Sequence, residues 1–259
     1  MKYGILHIMM HRRQTVKTPF GSIHSLSSGT GAPVVFLHGW SADARTCTAL
    51  LDCLATVYQV TIPTLPGWHP SYSLEGDADP THAFQALGDW LDATGLRDVT
   101  LVGHSLGGVA AVNLCAQRPA VISRVVLVDT VGVPIVRDHA SWKKMWLQKR
   151  LRMYKAYGPN VVTRLDRALL KHTLIRKKHL GRMSRYARTA DVLPLLDRIT
   201  LPVEFVWGTD DAYTPMSTAR TMAEHCKKSS IIEVPGDHDW PLFTPDVLLG
   251  YLMSHHYQK

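Results

Sequence analysis

At 259 residues, with 46% apolar and 19% charged side chains, the chain has the balance of a soluble globular protein, long enough for one large α/β domain with an insertion. No apolar run approaches the roughly 18 residues that span a bilayer, and the first ten residues lack the flanks and cleavage site of a secretory signal. The net charge of +8 is concentrated: residues 135–198 hold 17 Lys and Arg against 4 acids, and the rest of the chain is net negative. Four cysteines (Cys47, Cys53, Cys115, Cys226) show neither a C-x-x-C pair nor metal-ligand spacing, which implies reduced packing thiols in a cytoplasmic protein.

Residues 1–13 read as an N-terminal extension, with Met9 and Met10 as alternative starts. Residues 14–18 and 22–26 are short strands joined through Pro19-Phe20-Gly21 as a hairpin. Residues 33–37 form a continuous apolar run, as expected of a strand covered on both faces. A helix over 49–57, a strand over 58–62 and a Pro63-Thr64-Leu65-Pro66-Gly67 break follow. Residues 81–94 are helical, with Phe84, Leu87 and Leu91 on one stripe. Strands at 99–102 and 124–128 enclose a small-residue helix. This alternation implies right-handed crossovers and a mostly parallel sheet. It stops at Pro134, where 135–198 shows only helix-like stretches, and resumes with strands at 203–207 and 230–234 and a last helix over 246–254. The organisation expected is a core of 14–134 and 199–259 with a basic helical insertion at 135–198.

The densest chemistry sits between the strand at 99–102 and the following helix: Gly103-His104-Ser105-Leu106-Gly107 is a G-x-S-x-G pentapeptide. On a sharp strand-to-helix turn, Ser105 is forced into a strained conformation with its hydroxyl exposed, over a helix N-terminus whose N–H groups favour a developing anion. A serine hydroxyl needs a base, and the base needs an orienting group. Both should follow later parallel strands, where ligands of such sheets gather. After the strand at 203–207 stands Gly208-Thr209-Asp210-Asp211; after that at 230–234 stands Pro235-Gly236-Asp237-His238-Asp239. The order Ser105, Asp, His238 is that of a nucleophile elbow.

Together with Leu37-His38-Gly39-Trp40 and Leu65-Pro66-Gly67-Trp68, these motifs resemble the α/β-hydrolase superfamily from about Gln14 to the C-terminus. The resemblance implies a mostly parallel sheet flanked by helices, with the insertion as a cap over the site. It selects Asp211, four residues before Pro215, as the acid; Asp210 and the strand-end Asp129 are alternatives. It also implies an oxyanion hole from the backbone N–H groups of Trp40 and Leu106, with His38 bracing the loop. Asp237 and Asp239 are expected to face away from the base. A serine at the elbow sets aside the relatives that attack with aspartate or cysteine. What it implies is a cytoplasmic serine carboxylic-ester hydrolase without cofactor, against the alternative of a binding protein that turns nothing over.

The insertion carries Trp142, Trp146, Met153 and Tyr157 on one possible helical face, and lysines and arginines from Lys143 to Arg188. One-signed charge points to partners. Three fit: an acidic carrier protein presenting an acyl ester, an anionic membrane surface with a lipid or monoacylglycerol ester, or a small anionic substrate. Nucleic acid is disfavoured, since no binding motif accompanies the patch. The basic insertion with His38-Gly39-Trp40 and Leu65-Pro66-Gly67 is also similar to the pimeloyl-acyl-carrier-protein methyl ester esterases.

Overall fold

A computed structural model describes residues 10–40, 42–72, 80–134 and 139–254; most of the N-terminal extension lies outside them, as do the side chains of Trp142 and Trp146. Among these residues eight strands form one sheet: β1 (Arg12–Thr18), β2 (Gly21–Ser28), β3 (Pro33–Leu37), β4 (Gln59–Pro63), β5 (Val99–His104), β6 (Ile122–Val128), β7 (Val203–Gly208) and β8 (Ser229–Val234). Their order is β1-β2-β4-β3-β5-β6-β7-β8. The β1–β2 and β2–β4 pairs are antiparallel and all others parallel, so the site-bearing strands share one carboxyl end. Strand β1 begins at Arg12, inside the stretch read as an extension, because Arg12 still pairs with Ser27 across the hairpin.

The helices are α1 (Thr48–Leu54), α2 (Pro80–Thr94), α3 (Leu106–Gln117), α4 (His139–Tyr157), α5 (Pro159–Thr189), α6 (Leu193–Leu196), α7 (Met216–Glu224), α8 (Trp240–Phe243) and α9 (Pro245–Ser254). Alternate strand residues divide the core into two layers, as the two-residue period of a strand requires. Val35, Leu37, Leu101, Val125, Leu127, Phe205 and Trp207 pack with α2 and α3 on one face. Val34, Phe36, Val102, Val126, Val128 and Val206 pack with α1 and α9 on the other. The short α7 has no counterpart in the sequence reading; few of its positions are both apolar and buried, chiefly Ala219 and Met222.

Between β6 and β7 the chain runs through α4 and α5. Both return apolar residues to the core: Met153 and Leu165 join the α1–α9 layer, and Met183 joins the α2–α3 layer. Helix α5 therefore contributes to the core on both faces of the sheet. Tyr157 stacks on Phe243 of α8, ring centroids 4.3 Å apart.

Candidate active site

Ser105 directly follows β5 and caps α3 with φ 54° and ψ −119°, a left-handed conformation costly for a side-chain-bearing residue. Tight packing imposes it. A Cβ on Gly107 would stand 2.0 Å from the Leu37 carbonyl oxygen, and one on Gly103 would stand 2.6 Å from the Gly108 Cα. Only glycine lets the strand and helix approach this closely.

The predicted partners converge on that serine. Ser105 Oγ donates to His238 Nε2 at 2.8 Å, and His238 Nδ1 donates to Asp211 Oδ2 at 2.7 Å. Asp211 is itself fixed by the Tyr213 and Thr214 N–H groups on Oδ1 and by the Thr214 hydroxyl on Oδ2 at 2.5 Å. Burial alone would raise the Asp211 carboxyl; the His238 charge, with hydrogen bonds from His238 and Thr214, outweighs it and holds the group below its ordinary range. Asp210 is exposed on the neighbouring turn. Asp129 is buried beneath the site, where its Oδ1 accepts from the Gly208 N–H at 2.9 Å. Burial, followed by the Asp211 charge, pushes its carboxyl well above the ordinary range, so the two neighbouring acids are shifted in opposite directions.

The His38-Gly39-Trp40 loop abuts the serine: a Cβ on Gly39 would lie 3.1 Å from Ser105 Cβ. His38 Nδ1 donates to the Gly39 carbonyl and Nε2 accepts from the Leu65 N–H, so the ring ties this loop to Leu65-Pro66-Gly67. Burial lowers its pKa to about 4, keeping it neutral in that bracing position. Trp40 leads out of the loop, its carbonyl accepting from Trp68 Nε1 at 2.7 Å; Leu106 opens α3 directly after the serine.

Residues 34–250 match a model of the alpha/beta hydrolase family. The chain belongs to that family. The hydrolase is 23% identical over 228 residues to a 2-hydroxy-6-oxononadienedioate/2-hydroxy-6-oxononatrienedioate hydrolase of Pseudomonas sp, covering 78% of this chain and 80% of that one. It is 25% identical over 228 residues to a pimeloyl-[acyl-carrier protein] methyl ester esterase of Shewanella woodyi, covering 79% and 85%. Its fold superposes on the 2-hydroxy-6-oxo-6-phenylhexa-2,4-dienoate hydrolase structure from Rhodococcus sp. strain RHA1 with a TM-score of 0.76, at 21% identity over 95% of this chain and 99% of that one.

The surroundings of His238 contain a feature absent from the sequence reading. Asp239 bonds neither nitrogen of the His238 ring, as expected of a residue facing away, yet it is buried rather than solvated. Its Oδ2 takes the Lys149 ammonium of α4 at 2.5 Å, and its Oδ1 lies 3.9 Å from His104 Nε2. Burial would raise its carboxyl, but Lys149, His238 and His104 together hold it below the ordinary range. Lys149 Nζ also sits 4.6 Å over the Tyr213 ring, which stacks on His238 with centroids 5.3 Å apart. His104 Nε2 donates to the His238 carbonyl at 2.7 Å. His104, His238 and Asp239 gather ligand-type atoms as a metal site does. Their facing atoms are already spent on His238 O, Ser105, Asp211 and Lys149, which is the pattern of a hydrogen-bonded brace.

Helix α5 meets the site from the other side. The Trp40 indole N–H donates to the Leu180 carbonyl at 3.1 Å, and His179 packs edge-on to Trp68 at 5.0 Å, directly over Gly67. His172, one helical turn pair earlier on the same face, is buried with Nε2 3.7 Å from Asp43 Oδ2. Sequence spacing did not separate these buried histidines from the surrounding lysines and arginines.

Proposed function

We propose that the chain is a serine carboxylic-ester hydrolase working through an acyl-enzyme, with the insertion as its cap. The observation that carries this is the unbroken hydrogen-bonded line from Ser105 through His238 to Asp211. As the Ser105 oxygen attacks the acyl carbon, its proton passes to His238 Nε2. Asp211 holds the imidazole with Nδ1 protonated and stabilises the imidazolium. The Trp40 and Leu106 N–H groups receive the negative charge on the carbonyl oxygen; each such donor contributes about 3 kcal/mol at the transition state. On collapse the ester C–O bond breaks and His238 returns the proton to the leaving alcohol. Water, deprotonated by the same imidazole, then cleaves the acyl-serine to release the acid.

The pimeloyl-[acyl-carrier protein] methyl ester esterases among the chain's relatives support ester chemistry, and offer a carrier-bound acyl ester as a second reading of the substrate. Turnover of short p-nitrophenyl esters by the purified protein tests the reaction class. Hydrolysis that vanishes in Ser105→Ala supports it, and activity retained in that variant overturns it.

A further inference from the structure

The inner faces of α4 and α5 hold Lys149, Leu180 and His179 against the site, while their outer faces are built from an unusual mixture. Five large aliphatic side chains stand more than half exposed there: Leu147 55% and Leu151 63% on α4, and Leu170 59%, Leu174 77% and Ile175 51% on α5. The leucine pairs are each four residues apart, so each forms a stripe on one side of its helix. Buried Met153 and Leu165 mark the opposite, core-facing sides.

Cations interleave with these leucines. Lys144, Arg152 and Lys155 are exposed on α4, and Arg167, Lys177 and Lys178 on α5. The two helices carry fifteen Lys and Arg against one acid, Asp166. That acid is engaged by Arg150 and by the Tyr154 hydroxyl. A solvated face would mix both signs and avoid aliphatics. A face meant for an acidic protein would use the charges but leave the leucines without an apolar medium across the whole stripe.

We infer that the outer face of α4 and α5 docks on an anionic lipid surface, with Leu147, Leu151, Leu170, Leu174 and Ile175 entering below the headgroups. The flexible lysine and arginine stems reach back to the phosphates, as amphipathic cations do at interfaces. Attachment is peripheral, since no helix among the described residues is long and apolar enough to cross a membrane. Such docking places the cap between bilayer and Ser105. It deepens the ester-hydrolase reading, on which only the substrate class rests: a lipid-borne acyl ester. The docking itself does not depend on that reading.

Flotation of the purified protein with vesicles of phosphatidylcholine, alone or mixed with phosphatidylglycerol, tests the idea. At least about tenfold more protein should float with the anionic vesicles, and raised salt should reduce the excess. Leu151→Ser with Leu174→Ser, and separately Lys177→Glu with Lys178→Glu, should each cut binding about tenfold. Both should leave p-nitrophenyl ester turnover unchanged, because these side chains face away from the site. Equal binding to neutral and anionic vesicles, or binding untouched by the leucine pair, overturns the proposal. So does a dimer in solution that Leu174→Ser dissociates, since a second copy would then cover the face. Salt-sensitive capture by an acidic acyl-carrier protein without vesicle binding overturns it too. Loss of esterase turnover with vesicle binding intact would instead defeat the reaction assignment alone.

Discussion

Lys149 of the inserted helix α4 forms a buried ion pair with Asp239, the residue that follows His238. One cationic side chain thus joins helix α4 to the loop that carries His238, 90 residues downstream. Removing one member of a buried pair leaves the other charge unpaired, which costs about 3–5 kcal/mol. Lys149→Met should therefore lower stability by about that amount in denaturant unfolding, and adding Asp239→Asn should recover much of it.

The choice between adjacent aspartates is sharp. Asp211 lies within the hydrogen-bonded line, whereas Asp210 is exposed and its backbone N–H is held by the Gly236 carbonyl. Asp211→Asn should depress kcat by about 10⁴-fold by stabilising the wrong imidazole tautomer. Asp210→Asn should leave ester turnover close to that of the parent. Steady-state kinetics on the two variants decides the matter, and a reversed order would reassign the acid.

Asp129 makes a prediction about pH and stability. Its folded-state pKa is raised, first by burial and then by Asp211. The fold favours the neutral carboxyl, so its stabilising contribution is complete below the unfolded value of about 3.9. That contribution is lost as pH climbs through the folded value. Asp129→Asn keeps the acceptor for the Gly208 N–H and cannot ionise. Relative to the parent, its Tm should rise progressively as pH is raised above that unfolded value. A difference that stays constant with pH would show that Asp129 is not the titrating group.

Much of this arrangement was legible in the residues themselves. Parallel strands announce themselves by short β-branched runs, and Ser105, Asp211 and His238 each sit just past one, so chain order alone brought them to the same edge. What escaped was anything decided by a distant partner. Asp239 reads only as a residue flanking His238 and facing away from it until Lys149 is placed beside it. His172 and His179 are lost among cations because a helix so rich in charge hides which side is buried. Thr214 carries no motif, yet its hydroxyl and N–H fix Asp211. The shape of α7 was missed because a weak apolar pattern on nine residues does not distinguish helix from loop.

The central claim is that Ser105 is a nucleophile activated by His238. Intact-mass and peptide mass spectrometry after reaction with a fluorophosphonate tests it most directly. One adduct per chain should form, located on Ser105, and His238→Ala should slow its formation by at least about 10³-fold. An unmodified Ser105, or labelling at the same rate without His238, would contradict the account.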